Sequence, residues 1–184
     1  MHLFRSAVLY AALALTANTA LADTAALEAL RAGDMKKMDF EAPPKAVPDI
    51  PFTDAEGGLH HLSEYQGKYV VLNFWATWCA PCRSEMATLD KLQGEMGSDR
   101  FAVLPIATLR NTVAGVQKFF AEDGVKNLSV HMDPDAALAR QMGVMGLPVT
   151  VILNPQGQEI ARLIGQADWN SDSAKAIFAA LLKG

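Results

Sequence analysis

Only two cysteines and four histidines occur in 184 residues. A closed zinc site wants four ligands, which one cysteine pair and scattered histidines do not supply. His60 and His61 are adjacent, so in a strand they point to opposite faces and read as surface of a turn rather than as ligands. No basic patch interleaved with aromatics is present and the formal net charge is only −4, which argues against a nucleic-acid partner. Internal repeats and low-complexity tracts are also missing. The N-terminal apolar run, Ala7 to Ala17, falls short of the roughly 20 residues that a membrane-spanning helix needs.

What that N-terminus does contain is the shape of a targeting signal. Met1-His2-Leu3-Phe4-Arg5 gives a short positive start, and Ala20-Leu21-Ala22 resembles a small-x-small cleavage site before Asp23. Residues 1–22 are therefore expected to be a signal peptide, with a retained membrane anchor as the alternative, and the mature protein is expected to be exported. Residues 23–50 carry a short Ala/Leu-rich helical stretch followed by Pro43, Pro44 and Pro48, and read as an extended arm. Residues 51–184, about the length of one domain, then hold the fold.

Within that domain, Phe52 to Leu62 places strand-like pieces around Gly57-Gly58, predicting a small hairpin. Ser63 reads as the cap of a short helical turn. Val70 to Phe74 and Phe101 to Ala107 are apolar runs that predict buried strands. A helix follows each: the first has Met86, Leu89, Leu92 and Met96 at helical spacing, and the second has Val113, Val116 and Phe120, with Asn111 or Thr112 as its cap and Gly124 as its stop. Ser129 to Met132 could add a strand, and Asp133-Pro134-Asp135 opens a short helix. Val149 to Leu153 and Glu159 to Ile164 predict an antiparallel hairpin across Asn154-Pro155-Gln156-Gly157, and a helix beginning near Ser171 closes the chain. Strand and helix alternate before the hairpin, which predicts an α/β fold with a central mixed β-sheet flanked by helices.

The two cysteines sit where the first strand ends and its helix begins, in Trp75-Ala76-Thr77-Trp78-Cys79-Ala80-Pro81-Cys82-Arg83-Ser84-Glu85. A helix start presents unpaired N–H groups and the positive end of the dipole, both of which favour a thiolate at Cys79. As a structural staple the pair is poor, because a loop this small removes only about 2 kcal/mol of unfolded-chain entropy. It suits a redox switch better.

Asn73-Phe74-Trp75-Ala76-Thr77-Trp78-Cys79-Ala80-Pro81-Cys82, with Gly146-Leu147-Pro148-Val149-Thr150 and the hairpin behind it, resembles the thioredoxin superfamily. More narrowly, the chain is similar to the TlpA/ResA-like exported thiol–disulfide oxidoreductases, the TlpA family of protein disulfide reductases. The resemblance runs from about Pro51 to Leu182. It implies a thioredoxin-like fold with an N-terminal β-hairpin extension and a dithiol exchange cycle through Cys79 and Cys82, with no cofactor beyond that redox-active disulfide. It also implies that Pro148 is a cis-proline facing the cysteines, that Leu147 pairs its backbone with substrate, and that Trp78 and Pro81 belong to the substrate-facing rim. Trp75 is left as either rim or core.

The chain departs from ordinary thioredoxins at Asn73, where they carry a buried Asp that takes the proton of the resolving thiol. An amide cannot do so. Glu85, three residues after Cys82, is the candidate acid/base group; the plainer reading is a first-turn carboxylate favoured by the helix dipole. Arg83 reads as solvated, Thr108, Arg110 and Asn111 as local capping, and His131, Trp169, Met142 and Met145 as packing.

The leading functional expectation is a monomeric periplasmic reductase of client-protein disulfides, serving cytochrome c maturation (apocytochrome c) or copper-site assembly. Its electrons would come from a membrane donor of the thiol–disulfide relay type. An oxidase or isomerase on the same fold and a non-catalytic copper-binding module are the alternatives. A peroxidase fits the two-residue cysteine spacing less well.

Overall fold

The computed structural model describes residues 24–183. Residues 1–22, expected to be a signal, lie outside them. Among the described residues no helix is long and apolar enough to cross a membrane.

One mixed sheet organises the described chain. Its strands are β1 (Met38–Ala46), β2 (Phe52–Asp54), β3 (Leu59–His60), β4 (Tyr69–Trp75), β5 (Phe101–Thr108), β6 (His131–Asp133), β7 (Val149–Leu153) and β8 (Gln158–Ile164), in the spatial order β1-β8-β7-β4-β5-β6-β2-β3. β4, β5 and β6 run parallel. β7 and β8 are antiparallel neighbours, and β7 pairs antiparallel with β4. The central strand β4 thus has a parallel crossover partner on one side and the late hairpin on the other.

The helices cover both faces. Residues 24–29 are helical (α1), followed by α2 (Ala80–Met96), α3 (Val113–Asp123), α4 (Ala137–Gln141) and α5 (Asp172–Leu181). Period-two alternation along β4 divides the core. Val70, Leu72 and Phe74 join Phe52, Ile106 and Leu138 on the α4 face, whereas Val71 and Trp75 join Met86, Leu89 and Phe178 on the face carrying α2 and α5. By the same alternation Asn73 faces α2, which decides its role below. Trp75 is core rather than rim: it is fully buried and stacks on Phe120 at 5.7 Å.

Residues 38–46, expected as part of an arm, are the edge strand of the sheet. β1 pairs with β8 from Met38↔Leu163 to Ala46↔Gln158, with a register shift between Phe40 and Lys45 that takes up Pro43 and Pro44. Proline is tolerated there because an edge strand has one side unpaired. Met35, in the 3-10 turn Gly33–Lys37, and Met38 are both fully buried. Their burial holds the segment against the domain.

Local capping differs from expectation at the short helical turn before β4 and follows it at α3. The 3-10 turn Leu62–Tyr65 is capped from His61, not Ser63, and the Glu64 carboxylate accepts from the His61 N–H at 2.8 Å. Thr112 caps α3 through the Gly115 N–H at 3.1 Å, and Gly124 ends that helix in the left-handed region at φ 69°. That leaves Asn111 free for another task.

Candidate functional site

β4 delivers the chain at Trp75 to a three-residue loop, and Cys79 is the N-cap of α2. Its Sγ accepts a hydrogen bond from the Cys82 N–H at 3.3 Å, so the sulfur occupies the place of a capping side chain. Pro81, in the first helical turn, gives up an N–H that would have had no intrahelical partner. Cys79 and Cys82 are joined by a disulfide with their Cα atoms 5.3 Å apart. Their exposure is unequal: Cys79 is 6 % exposed and Cys82 0 %. An incoming sulfur can therefore reach only Cys79.

The loop before Cys79 is tied down by Asn111. Its Oδ1 accepts from the Thr77 N–H at 2.9 Å and the Thr77 hydroxyl at 2.8 Å, while its Nδ2 donates to the Thr108 carbonyl at 2.7 Å. One amide thereby joins the C-terminal ends of β4 and β5 beside the disulfide. Sequence reasoning placed Asn111 as a helix cap; its partner lies 34 residues away, and nothing in the local pattern points there.

Facing Cys79 is the turn into β7, where Leu147–Pro148 is a cis peptide bond. A groove of about 650 Å³ lies between this turn and α2, lined by Trp78, Cys79, Pro81, Leu109, Met145 and Leu147 among others. Trp78, Pro81 and Leu147 thus meet at one opening with Cys79, while Pro148 is buried behind Leu147. A larger apolar share than polar marks the lining, as in sites that receive a side chain or small ligand. Arg83 is exposed, as expected, and its guanidinium lies over the Phe119 ring at 4.9 Å.

Behind Cys82, one helical turn along the same buried face of α2, is Glu85, only 2 % exposed. Its Oε1 accepts from Asn73 Nδ2 at 2.8 Å, and its Oε2 accepts from the Ala167 N–H and the Trp169 indole N–H, each at 3.0 Å. Asn73 Nδ2 also donates to the Thr150 hydroxyl at 2.9 Å. Burial drives the Glu85 pKa up to about 7, and the donors at Ala167, Asn73 and Trp169 hold it down only in part. A first-turn carboxylate stabilised only by the helix dipole would sit in solvent. This one is an enclosed acid whose protonation changes near neutral pH. Trp169, read from sequence as packing, both stacks on Phe178 and donates to this carboxylate.

Comparisons with known proteins agree on one lineage. Residues 41–160 match the AhpC/TSA family. The thiol-disulfide oxidoreductase ResA of Bacillus anthracis is 30% identical over 133 residues, which cover 72% of this chain and 74% of that protein. ResA of Bacillus subtilis (strain 168) is 30% identical over 119 residues, 65% of each. Among solved structures, a secreted thiol-disulfide isomerase from Corynebacterium glutamicum superposes with a TM-score of 0.66 at 26% identity, over 83% of this chain and 94% of that one. A Chlorobium tepidum chain assigned as thiol:disulfide interchange protein DsbE gives a TM-score of 0.66 at 26% identity, over 78% and 98%. The fold is thus thioredoxin-like, and the chain belongs to the AhpC/TSA family as a homologue of the ResA thiol–disulfide oxidoreductases.

Proposed function

We propose that the protein is an exported, periplasmic protein-disulfide reductase that acts on specific clients. The observation that carries this reading is the unequal disulfide: a groove-facing Cys79 and a wholly enclosed Cys82 above a buried acid. The reduced protein presents Cys79 as thiolate, favoured by the start of α2. That thiolate attacks one sulfur of a client disulfide, and the client's other sulfur leaves as a thiolate. Cys82 then loses its proton and attacks the Cys79 sulfur. The client's remaining sulfur departs, so the client disulfide gains two electrons and Cys79–Cys82 is left oxidised. Glu85 is the acid/base group for the Cys82 proton, since an acid with a pKa of about 7 exchanges protons on either side of neutrality.

The cycle needs no cofactor beyond the cysteine pair. Regeneration needs a dithiol donor, and a thiol–disulfide relay in the membrane is the class that fits an exported protein. The secreted relative from Corynebacterium glutamicum supports export. Apocytochrome c and copper-site proteins are the client classes that this reading favours.

The deciding experiment is trapping with Cys82→Ser. A mixed disulfide between Cys79 and a client is expected to persist, and mass spectrometry of the adduct identifies the client. The direction of electron flow is read from the reduction potential. A value near that of thioredoxin, about −270 mV, fits a reductase, and one near the strong oxidant DsbA, about −120 mV, would overturn that direction.

A further inference from the structure

Three of the six large exposed apolar side chains among the described residues stand together at the disulfide. Trp78 is 51 % exposed, Leu109 40 % and Met145 97 %, and all three line the groove that opens on Cys79. Leu109 takes a positive φ of 61°, a region that β-carbon sterics disfavour for leucine. It is held there because its N–H donates to the Asp133 carbonyl and its own carbonyl accepts from the Asn111 N–H. The backbone thus carries strain while an apolar side chain stands at the groove rim.

The charges at the same opening run against the charge of the whole protein. The chain carries a formal net charge of −4, yet the charged side chain lining the groove is Arg140, and Arg110 lies over the ring of the groove residue Trp78, 6.0 Å from its centroid. Of the carboxylates on the neighbouring elements, Asp133 is engaged and Asp123 stands apart, which leaves Asp135 as the acidic residue beside Arg140. Asp133 accepts from the Ala137 and Ala139 N–H groups at the start of α4, at 2.8 and 3.0 Å. Asp123 lines a separate depression with Arg83. The exposed Asp135 offers its backbone carbonyl to Arg140.

From this arrangement we infer that the groove selects protein segments whose disulfide-forming cysteine is accompanied by a large apolar side chain, with acidic residues beyond it. The apolar side chain enters between Met145, Leu109 and Leu147, and the acidic residues meet Arg110 and Arg140. Charge complementarity commits the surface to an acidic polypeptide, and the apolar floor separates that partner from a small hydrophilic disulfide. The inference rests on the reductase reading and names its substrate class.

The test uses the reduced protein and three peptides, each with one cysteine in mixed disulfide with 2-mercaptoethanol. One peptide carries Leu beside the cysteine and Asp flanks, the second Leu and Lys flanks, and the third Ser and Asp flanks. At low salt the Leu/Asp peptide is expected to be reduced about fivefold or more faster than the Leu/Lys peptide, with the gap narrowing as salt is raised. Arg110→Glu combined with Arg140→Glu is expected to reverse the order of the two, and Met145→Ser to shrink the advantage of Leu over Ser. Each readout is a ratio within one protein, so partial loss of folded material does not alter it. Equal rates for the Asp and Lys peptides, or an order unchanged by the double substitution, would overturn the inference and leave the reductase reading standing. Faster reduction of 2-hydroxyethyl disulfide than of every peptide would also overturn it, assigning the groove to small disulfides. A protein that reduces neither the peptides nor 2-hydroxyethyl disulfide would overturn the reductase reading itself.

Discussion

Asn73 donates to Glu85 at 2.8 Å inside the protein, with both side chains buried. The same Nδ2 holds Thr150, whereas Asn73 Oδ1 has no partner among the described residues. The amide as oriented suits an ionised Glu85. Turned over, it would offer Oδ1 to a protonated Glu85 and to the Thr150 hydroxyl, so either protonation state can be satisfied in place.

Glu85→Gln tests the acid directly. Burial raises the Glu85 pKa from 4.5 to about 7, so the folded state binds this proton more tightly than the unfolded chain does. Its contribution is fully present below about pH 4.5 and is lost as pH rises through about 7, amounting to about 3 kcal/mol. Urea unfolding of the oxidised protein between these limits is expected to show the wild type losing stability relative to Glu85→Gln by that order. The variant should also flatten the pH dependence of Cys82 resolution. Unchanged cysteine pKa values and an unchanged resolution rate would remove Glu85 from the mechanism.

Asn73→Asp puts a second carboxyl against the first. Two buried carboxyls sharing a site cannot both ionise freely, so the pair is expected to titrate in two steps, the upper one above the single wild-type value of about 7. Each unit by which that upper step rises costs about 1.4 kcal/mol of stability at alkaline pH. Carboxyl-carbon NMR titration of the oxidised protein resolves the two steps directly. A single unshifted titration would show that the two side chains do not interact.

Much of this site was legible in the chain because it is local. The run Val70 to Phe74, the cysteine pair and the helical spacing through Leu92 lie within one strand–loop–helix unit, where periodicity and capping chemistry suffice. Glu85 could be picked out by its distance from Cys82 along a helix. Its environment could not, since Trp169 is 84 residues away and Thr150 joins Asn73 across 77. The same limit hid β1. Pro43 and Pro44 point to an extended linker until β8 is present to pair with the residues on either side of them.

Asn111→Ala separates anchoring from capping. The Thr77 N–H and hydroxyl both lose their acceptor, and a partly buried N–H left unpaired costs about 1–3 kcal/mol. Thr112 still caps α3, so the helix itself should persist. The expected result is a destabilisation of about 2 kcal/mol with slower attack by Cys79, because the loop carrying Trp78 is no longer fixed to β5. Thermal unfolding and single-turnover reduction of a peptide disulfide measure the two effects. Loss of α3 helicity by circular dichroism would instead assign Asn111 to the cap.

Met35→Ala and Met38→Ala ask whether the N-terminal segment is a tether or part of the domain. Both side chains are fully buried in the cluster that holds Trp169, Ala174 and Phe178, so each truncation leaves a cavity and is expected to cost about 2–5 kcal/mol. The effect should reach the site, because Met38 pairs with Leu163 on β8, whose next residue but one, Gly165, donates its N–H to the Pro148 carbonyl at 2.9 Å. β1 thus braces the strand that braces the cis-proline turn. Hydrogen exchange is expected to show faster opening of Gly165 in either variant. Stability within about 0.5 kcal/mol of wild type, the range of an unremarkable surface change, would return residues 33–46 to the status of a tether.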